Sequence, residues 1–165
     1  MVIWIIGISG AGKTTVGKKL LNKFLKNGKP FIFIDGDEFR EAMGNDLGYT
    51  LSDREKNGKR ISRLCKFLND QDINVIVSIL SIFDEHQQWN RLNIKKYFEI
   101  YLDVDLDTIK KRNQKNLYQK KDIEKNIVGR SIEFRPPKNP DLIISNNDTN
   151  QINSVVEDIY KKIIA

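Results

Sequence analysis

Gly7-Ile8-Ser9-Gly10-Ala11-Gly12-Lys13-Thr14 matches the pattern G-x-x-x-x-G-K-[ST] in full, and its flanks fit. Before it, Val2–Ile6 is a continuous apolar run, as a strand buried on both faces requires. After it, residues 13–26 place Val16, Leu20, Leu21, Phe24 and Leu25 on one helical side, and Asn27-Gly28 marks the stop. Strand, glycine-rich turn and helix together make an anion cradle. The glycines let the backbone curl so that N–H groups point inward, and the helix N-terminus adds partial positive charge. Lys13 is expected to reach the β- and γ-phosphates of ATP, and the Thr14 hydroxyl to ligate Mg²⁺. The expected ATP-binding residues are Gly7, Ser9, Gly10, Ala11, Gly12, Lys13, Thr14 and Thr15. An incidental lysine after a glycine-rich turn is the plainer reading, and it leaves the complete motif unexplained.

Outward from the cradle, strand-like and helix-like segments alternate. Strands are predicted at 31–34, 74–80, 98–104 and 141–145. Helices are predicted at about 36–43, from a Ser52/Glu55 capping box to about 69, at 84–94, and after a cap at Asp105 or Asp107. Apolar positions 152, 155, 156, 159, 160, 163 and 164 give the last helix its 3.6-residue period. This order implies an α/β fold: a doubly wound parallel sheet of about five strands, with helices on both faces. The 165 residues suit a single domain. The polar, basic stretch 115–140 is the expected mobile lid.

A switch GTPase would need N-K-x-D; Asn22-Lys23 is followed by Phe24-Leu25 inside the first helix and fails. A motor ATPase needs far more chain. A small-molecule kinase fits best. The net charge of +6 suggests an anionic partner, but the lysines are scattered rather than clustered with aromatics, which argues against nucleic acid. No apolar run approaches the roughly 18 residues of a membrane span, and no leader is visible. The single cysteine, Cys65, excludes an internal disulfide and fits a core position in a reduced, cytoplasmic setting. The lone histidine, His86, is expected at the surface. Trp89 is expected to pack its helix or to line an acceptor pocket. The partner expected is a small nucleotide acceptor; a homodimer stays open.

Asp35-Gly36-Asp37 ends the second strand, placed next to the first in this reading, so both carboxylates are expected to face the cradle across a crevice. One could accept the proton of an attacking hydroxyl and the other hold Mg²⁺ through water; Asp37 could instead cap the next helix. Arg40 follows Asp37 by one turn, Arg54 and Asn57 share a helix face, and Tyr49 could stack on a base. Together they read as an anionic, nucleotide-like acceptor pocket. A regulatory or nucleic-acid-binding ATP module is the alternative of another class.

With these residues in view, the chain resembles the adenylylsulfate kinases. The matching stretches are Trp4 to Thr15, Asp35-Gly36-Asp37 with Arg40, Asp46-Leu47-Gly48-Tyr49, and Asp53-Arg54-Glu55 with Asn57 and Arg60. Ser78 to Ser81, Lys115-Asn116-Leu117-Tyr118 and Pro137-Lys138-Asn139-Pro140-Asp141 follow in order. The resemblance implies a P-loop NTPase-type fold and transfer of the ATP γ-phosphate to a ribose 3′-hydroxyl. It also implies that Lys13, Asp35 and Asp37 serve the reaction centre. Arg40, Arg54 and Asn57 would hold the acceptor's anion, Tyr49 its base, and Ser81 would lie beside the phosphate loop. Arg112 and Lys115 would belong to the nucleotide and lid side.

Three departures bear on the acceptor. Ile82 replaces the family's usual proline, Arg112-Asn113 replaces an Arg-Asp pair, and residues 124–130 lack the lid aromatic that sandwiches adenine. Losing one ring of a sandwich removes about 1–3 kcal/mol of stacking and permits a pyrimidine. With Ser81-Ile82-Phe83 and Trp89-Asn90-Arg91, the chain looks closer to a branch that phosphorylates cytidine diphosphoramidate in capsule-building bacteria.

Overall fold

The computed structural model describes residues 1–112 and 134–164. Strands β1 (Val2–Ile6), β2 (Ile32–Asp35), β3 (Val75–Ile79), β4 (Tyr97–Asp103) and β5 (Leu142–Ser145) form one parallel sheet in the order β2-β3-β1-β4-β5. The helices are α1 (Lys13–Lys26), α2 (Gly36–Ala42), α3 (Leu51–Asn69), α4 (Asp84–Asn93), α5 (Leu106–Arg112) and α6 (Ile152–Ile164). The α/β parallel fold and its sequence of elements agree with the expectation. The neighbour of β1 does not: β3, not β2, lies beside it, and β2 forms the edge. Burial explains the order. Every residue of β3 is buried, as in β1, whereas β2 begins with the exposed Ile32.

Alternate residues of β1 feed two cores. Ile3 and Ile5 pack with Val16, Leu20 and Phe24 of α1 and Val155 and Ile159 of α6. Val2, Trp4 and Ile6 pack with Ile61 and Cys65 of α3. Burial pushes the Cys65 thiol up to about 12, consistent with an inert core position. Among the described residues no helix is long and apolar enough to cross a membrane.

One helix start differs from expectation, and a second is settled between two expected caps. Thr50, not Ser52, caps α3: the Asp53 N–H donates to Thr50 Oγ1 at 3.2 Å, and the hydroxyl donates to Asp53 Oδ2 at 2.7 Å. The same i, i+3 spacing operates two residues earlier, which frees Glu55 to pair with Lys59. At α5 the ambiguity resolves to Asp105, whose Oδ1 accepts from Thr108 N–H at 2.8 Å.

His86 is not a surface residue. It is 6% exposed, with its ring against Gly58 of α3; a β-carbon at Gly58 would sit 2.6 Å from His86 Nδ1. Trp89, on the same helix, stacks under the Arg63 guanidinium at 3.9 Å, so it joins α4 to α3. Arg91 holds the returning segment, donating to Asn139 O at 2.5 Å and pairing with Asp141.

Burial lowers the His86 pKa; Lys59 lowers it further, while Glu55 and Glu85 raise it. The unfolded chain therefore binds this proton more readily than the native state. Stability should fall as pH drops through the unfolded value of 6.5. Thermal unfolding at about pH 7.5 and about pH 5.5 checks this, with His86→Gln expected to flatten the difference.

Candidate active site

The cradle forms where β1 runs out and α1 begins. Gly10 and Gly12 have φ of 85° and 90°, the left-handed region that a side chain resists, and Gly12 caps α1. Lys13 bends back over the loop and donates through Nζ to Ile8 O at 3.0 Å. Its own carbonyl accepts from Ser78 Oγ of β3 at 3.0 Å. Burial pulls the Lys13 ammonium down to about 8, opposed by the negative charge of Asp37 and Asp35.

Across β3, the end of β2 meets this loop. Asp35 is 8% exposed and both of its oxygens are engaged. Oδ2 accepts from Thr14 Oγ1 at 2.6 Å, and Oδ1 accepts from Asp37 N–H at 3.0 Å, which makes Asp35 the cap of α2. Asp37 is thereby released from capping. Its carboxylate is exposed and accepts no hydrogen bond from the described residues.

These groups line one open crevice of about 440 Å³. Its cradle wall is Ser9, Gly10, Gly12, Lys13, Thr14 and Thr15. The opposite wall carries Asp35, Asp37, Arg40, Arg54 and Asn57, and Arg112 closes the rim. Arg40 is buried; its Nη1 donates to Gly48 O at 2.7 Å. Arg54 Nε donates to Tyr49 O at 3.0 Å. Burial and the nearby Arg40 both lower the Arg54 pKa. Asn57 donates to Gly36 O at 3.2 Å, and its buried Oδ1 has no partner among the described residues.

Four expected residues sit elsewhere. Gly7 and Ala11 shape the loop from behind: a β-carbon on Gly7 would meet Leu102 O at 3.0 Å, and Ala11 is buried in the core. Ser81 is buried and accepts from Gln87 at 3.5 Å, outside the crevice lining. Tyr49 is 51% exposed and does not line the crevice; the guanidiniums of Arg40 and Arg54 lie 4.7 and 5.4 Å from its ring centre. Lys115 and most of the expected lid lie outside the described residues.

Two contributors escaped the sequence reading of roles. Ser78 is the one polar residue in the buried strand Val75–Ile79, a signal that was available. Asn146, just after β5, donates to Ala11 O and carries no pattern that would have marked it. A separate cavity of about 390 Å³, bounded by Met1, Phe31, Asn74 and Lys96, shares no residue with the crevice.

The chain matches the family model for adenylylsulphate kinase over residues 1–145. It belongs to that family. It is a kinase, a phosphotransferase with a phosphate-binding loop. A cytidine diphosphoramidate kinase from Campylobacter jejuni is 41% identical over 98% of this chain and 95% of its own length. An adenylyl-sulfate kinase from Prochlorococcus marinus is 34% identical over 99% and 83%. Among solved structures, the APS kinase CysC of Mycobacterium tuberculosis in complex with AMPPNP and APS superposes with a TM-score of 0.89. It is 28% identical, over 99% of this chain and 97% of that one.

Phosphate anions beside Lys13 should raise its pKa, so ATP binding should take up protons. The uptake should be larger at about pH 8.5 than at about pH 7, read by calorimetry in buffers of different ionisation enthalpy. A binding enthalpy independent of buffer at both pH values would place Lys13 away from the phosphates.

Proposed function

We propose that this protein transfers the γ-phosphate of ATP to the ribose 3′-hydroxyl of cytidine diphosphoramidate. The observation that carries the reading is the 41% identity, across nearly the full length of both chains, to the C. jejuni kinase of that name. The missing lid aromatic supports it from the sequence. The crevice supports the chemistry: an anion cradle and a carboxylate pair face each other, with two arginines beyond them.

In this reading the loop amides and Lys13 hold the triphosphate, and Arg40, Arg54 and Asn57 hold the 5′ anion of the acceptor. Asp37, whose exposed carboxylate lines the crevice and accepts no hydrogen bond from the described residues, accepts the proton of the 3′-hydroxyl. The freed oxygen bonds to the γ-phosphorus as the bond to the β-phosphate bridging oxygen breaks, releasing ADP. Asp35 instead anchors Thr14 and caps α2. Thr14 and Asp35 supply hard oxygen donors 2.6 Å apart, a donor set that suits Mg²⁺, with Thr14 as the direct ligand. The ion would neutralise charge on the phosphate oxygens. Trp89 packs under Arg63 and Arg91 pairs with Asp141, and neither lines the crevice.

Adenylylsulfate is the second reading, favoured by the family model and by the superposition on the M. tuberculosis enzyme. A coupled ADP-release assay with the two acceptors decides between them. Cytidine diphosphoramidate is expected to give the higher kcat/KM; a preference for adenylylsulfate would reverse the assignment. Asp37→Asn is expected to lower kcat by roughly 10²-fold or more while ATP still binds.

A further inference from the structure

Asn146 follows β5 directly and is 2% exposed. Its backbone N–H donates to Asp103 O, at the end of β4, at 3.0 Å. Its side-chain Nδ2 donates to Ala11 O at 2.7 Å, and its backbone carbonyl accepts from Arg112 Nη2 at 2.5 Å. One residue thus joins the end of β4, the glycine loop and the last residue of α5. The fit is close: a β-carbon on Gly12 would sit 2.8 Å from Asn146 Nδ2.

The Ala11–Gly12 peptide is planar and trans, so its C=O and N–H point in opposite directions. Holding the Ala11 carbonyl toward Asn146 turns the Gly12 N–H the other way, and Gly12 lines the crevice. With glycine at 12 the loop has little steric resistance of its own to a peptide flip. We propose that Asn146 is a positioning residue for the phosphate donor: its side-chain amide fixes the Ala11–Gly12 peptide with the Gly12 N–H facing the crevice, and its carbonyl holds the Arg112 guanidinium at the rim. The inference rests on the reading of this crevice as the ATP site.

The test is calorimetric titration of ATP with Mg²⁺, without acceptor, into the full-length protein. Asn146→Asp keeps the shape and the backbone contacts but removes the donor to Ala11 O. ATP affinity should fall about tenfold, because an unpaired Ala11 carbonyl (~1.4 kcal/mol) favours the flipped peptide in the free protein and ATP must turn it back. Asn147→Ala is the control: its side chain accepts from Asp105 N–H in the same turn without touching the loop. It should leave ATP affinity within about twofold. Asn146→Ser, which shortens the side chain without adding charge, serves the same purpose if the aspartate variant does not fold. Unchanged ATP affinity in a folded Asn146 variant overturns the proposal, as does equal weakening by Asn147→Ala. Failure of the wild type to bind ATP would instead remove the kinase reading on which it stands.

Discussion

The hydrogen bond from Thr14 Oγ1 to Asp35 Oδ2, 2.6 Å long, joins the two halves of the site. β1 and β2 are not neighbours; β3 lies between them. The cradle and the acidic corner therefore meet only above the sheet, at the carboxyl ends of the strands, where Thr14 and Asp35 span β3. Ser78, on β3, secures the crossing from below by donating to the Lys13 carbonyl. Asp35 also caps α2, and that capping sets the direction in which Asp37 and Arg40 leave the strand. A single carboxylate thus fixes the cradle's hydroxyl, the start of the acceptor helix and the freedom of its neighbour Asp37.

The electrostatics follow from this closeness. Lys13 is pulled down by burial although two carboxylates oppose the shift, and Arg54 is lowered by burial and by Arg40. Clustered cations in a partly desolvated crevice oppose one another until anions arrive. Bound phosphate groups relieve that repulsion, so occupancy of the site stabilises the fold by mass action. Tyr49 contributes by holding both arginine guanidiniums over its ring rather than by facing the crevice.

Much of this was legible in the chain. The apolar run before Gly7 and the motif itself located the cradle, and α1 spans the residues the periodicity indicated. Asp35, Asp37, Arg40, Arg54 and Asn57 converge because local spacing placed each at a strand end or on one helix face. Strand order was misread because it depends on relative burial: β3 is buried throughout, and β2 is not. His86 was misplaced because its cavity exists only where Gly58 on another helix lacks a β-carbon. Asn146 was missed for the same kind of reason. Its partners, Ala11, Asp103 and Arg112, are remote in sequence, and no local pattern encodes a contact that only the folded sheet creates.

The central claim is that the acceptor's ribose lies between the phosphate cradle and Asp37. A structure of the protein with AMPPNP and the preferred acceptor tests it most directly. The 3′-oxygen is expected about 3–3.5 Å from the γ-phosphorus and within hydrogen-bond reach of Asp37. An acceptor seated in the separate cavity bounded by Met1, Phe31 and Lys96, or in the crevice with its 3′-oxygen turned from Asp37, would contradict it.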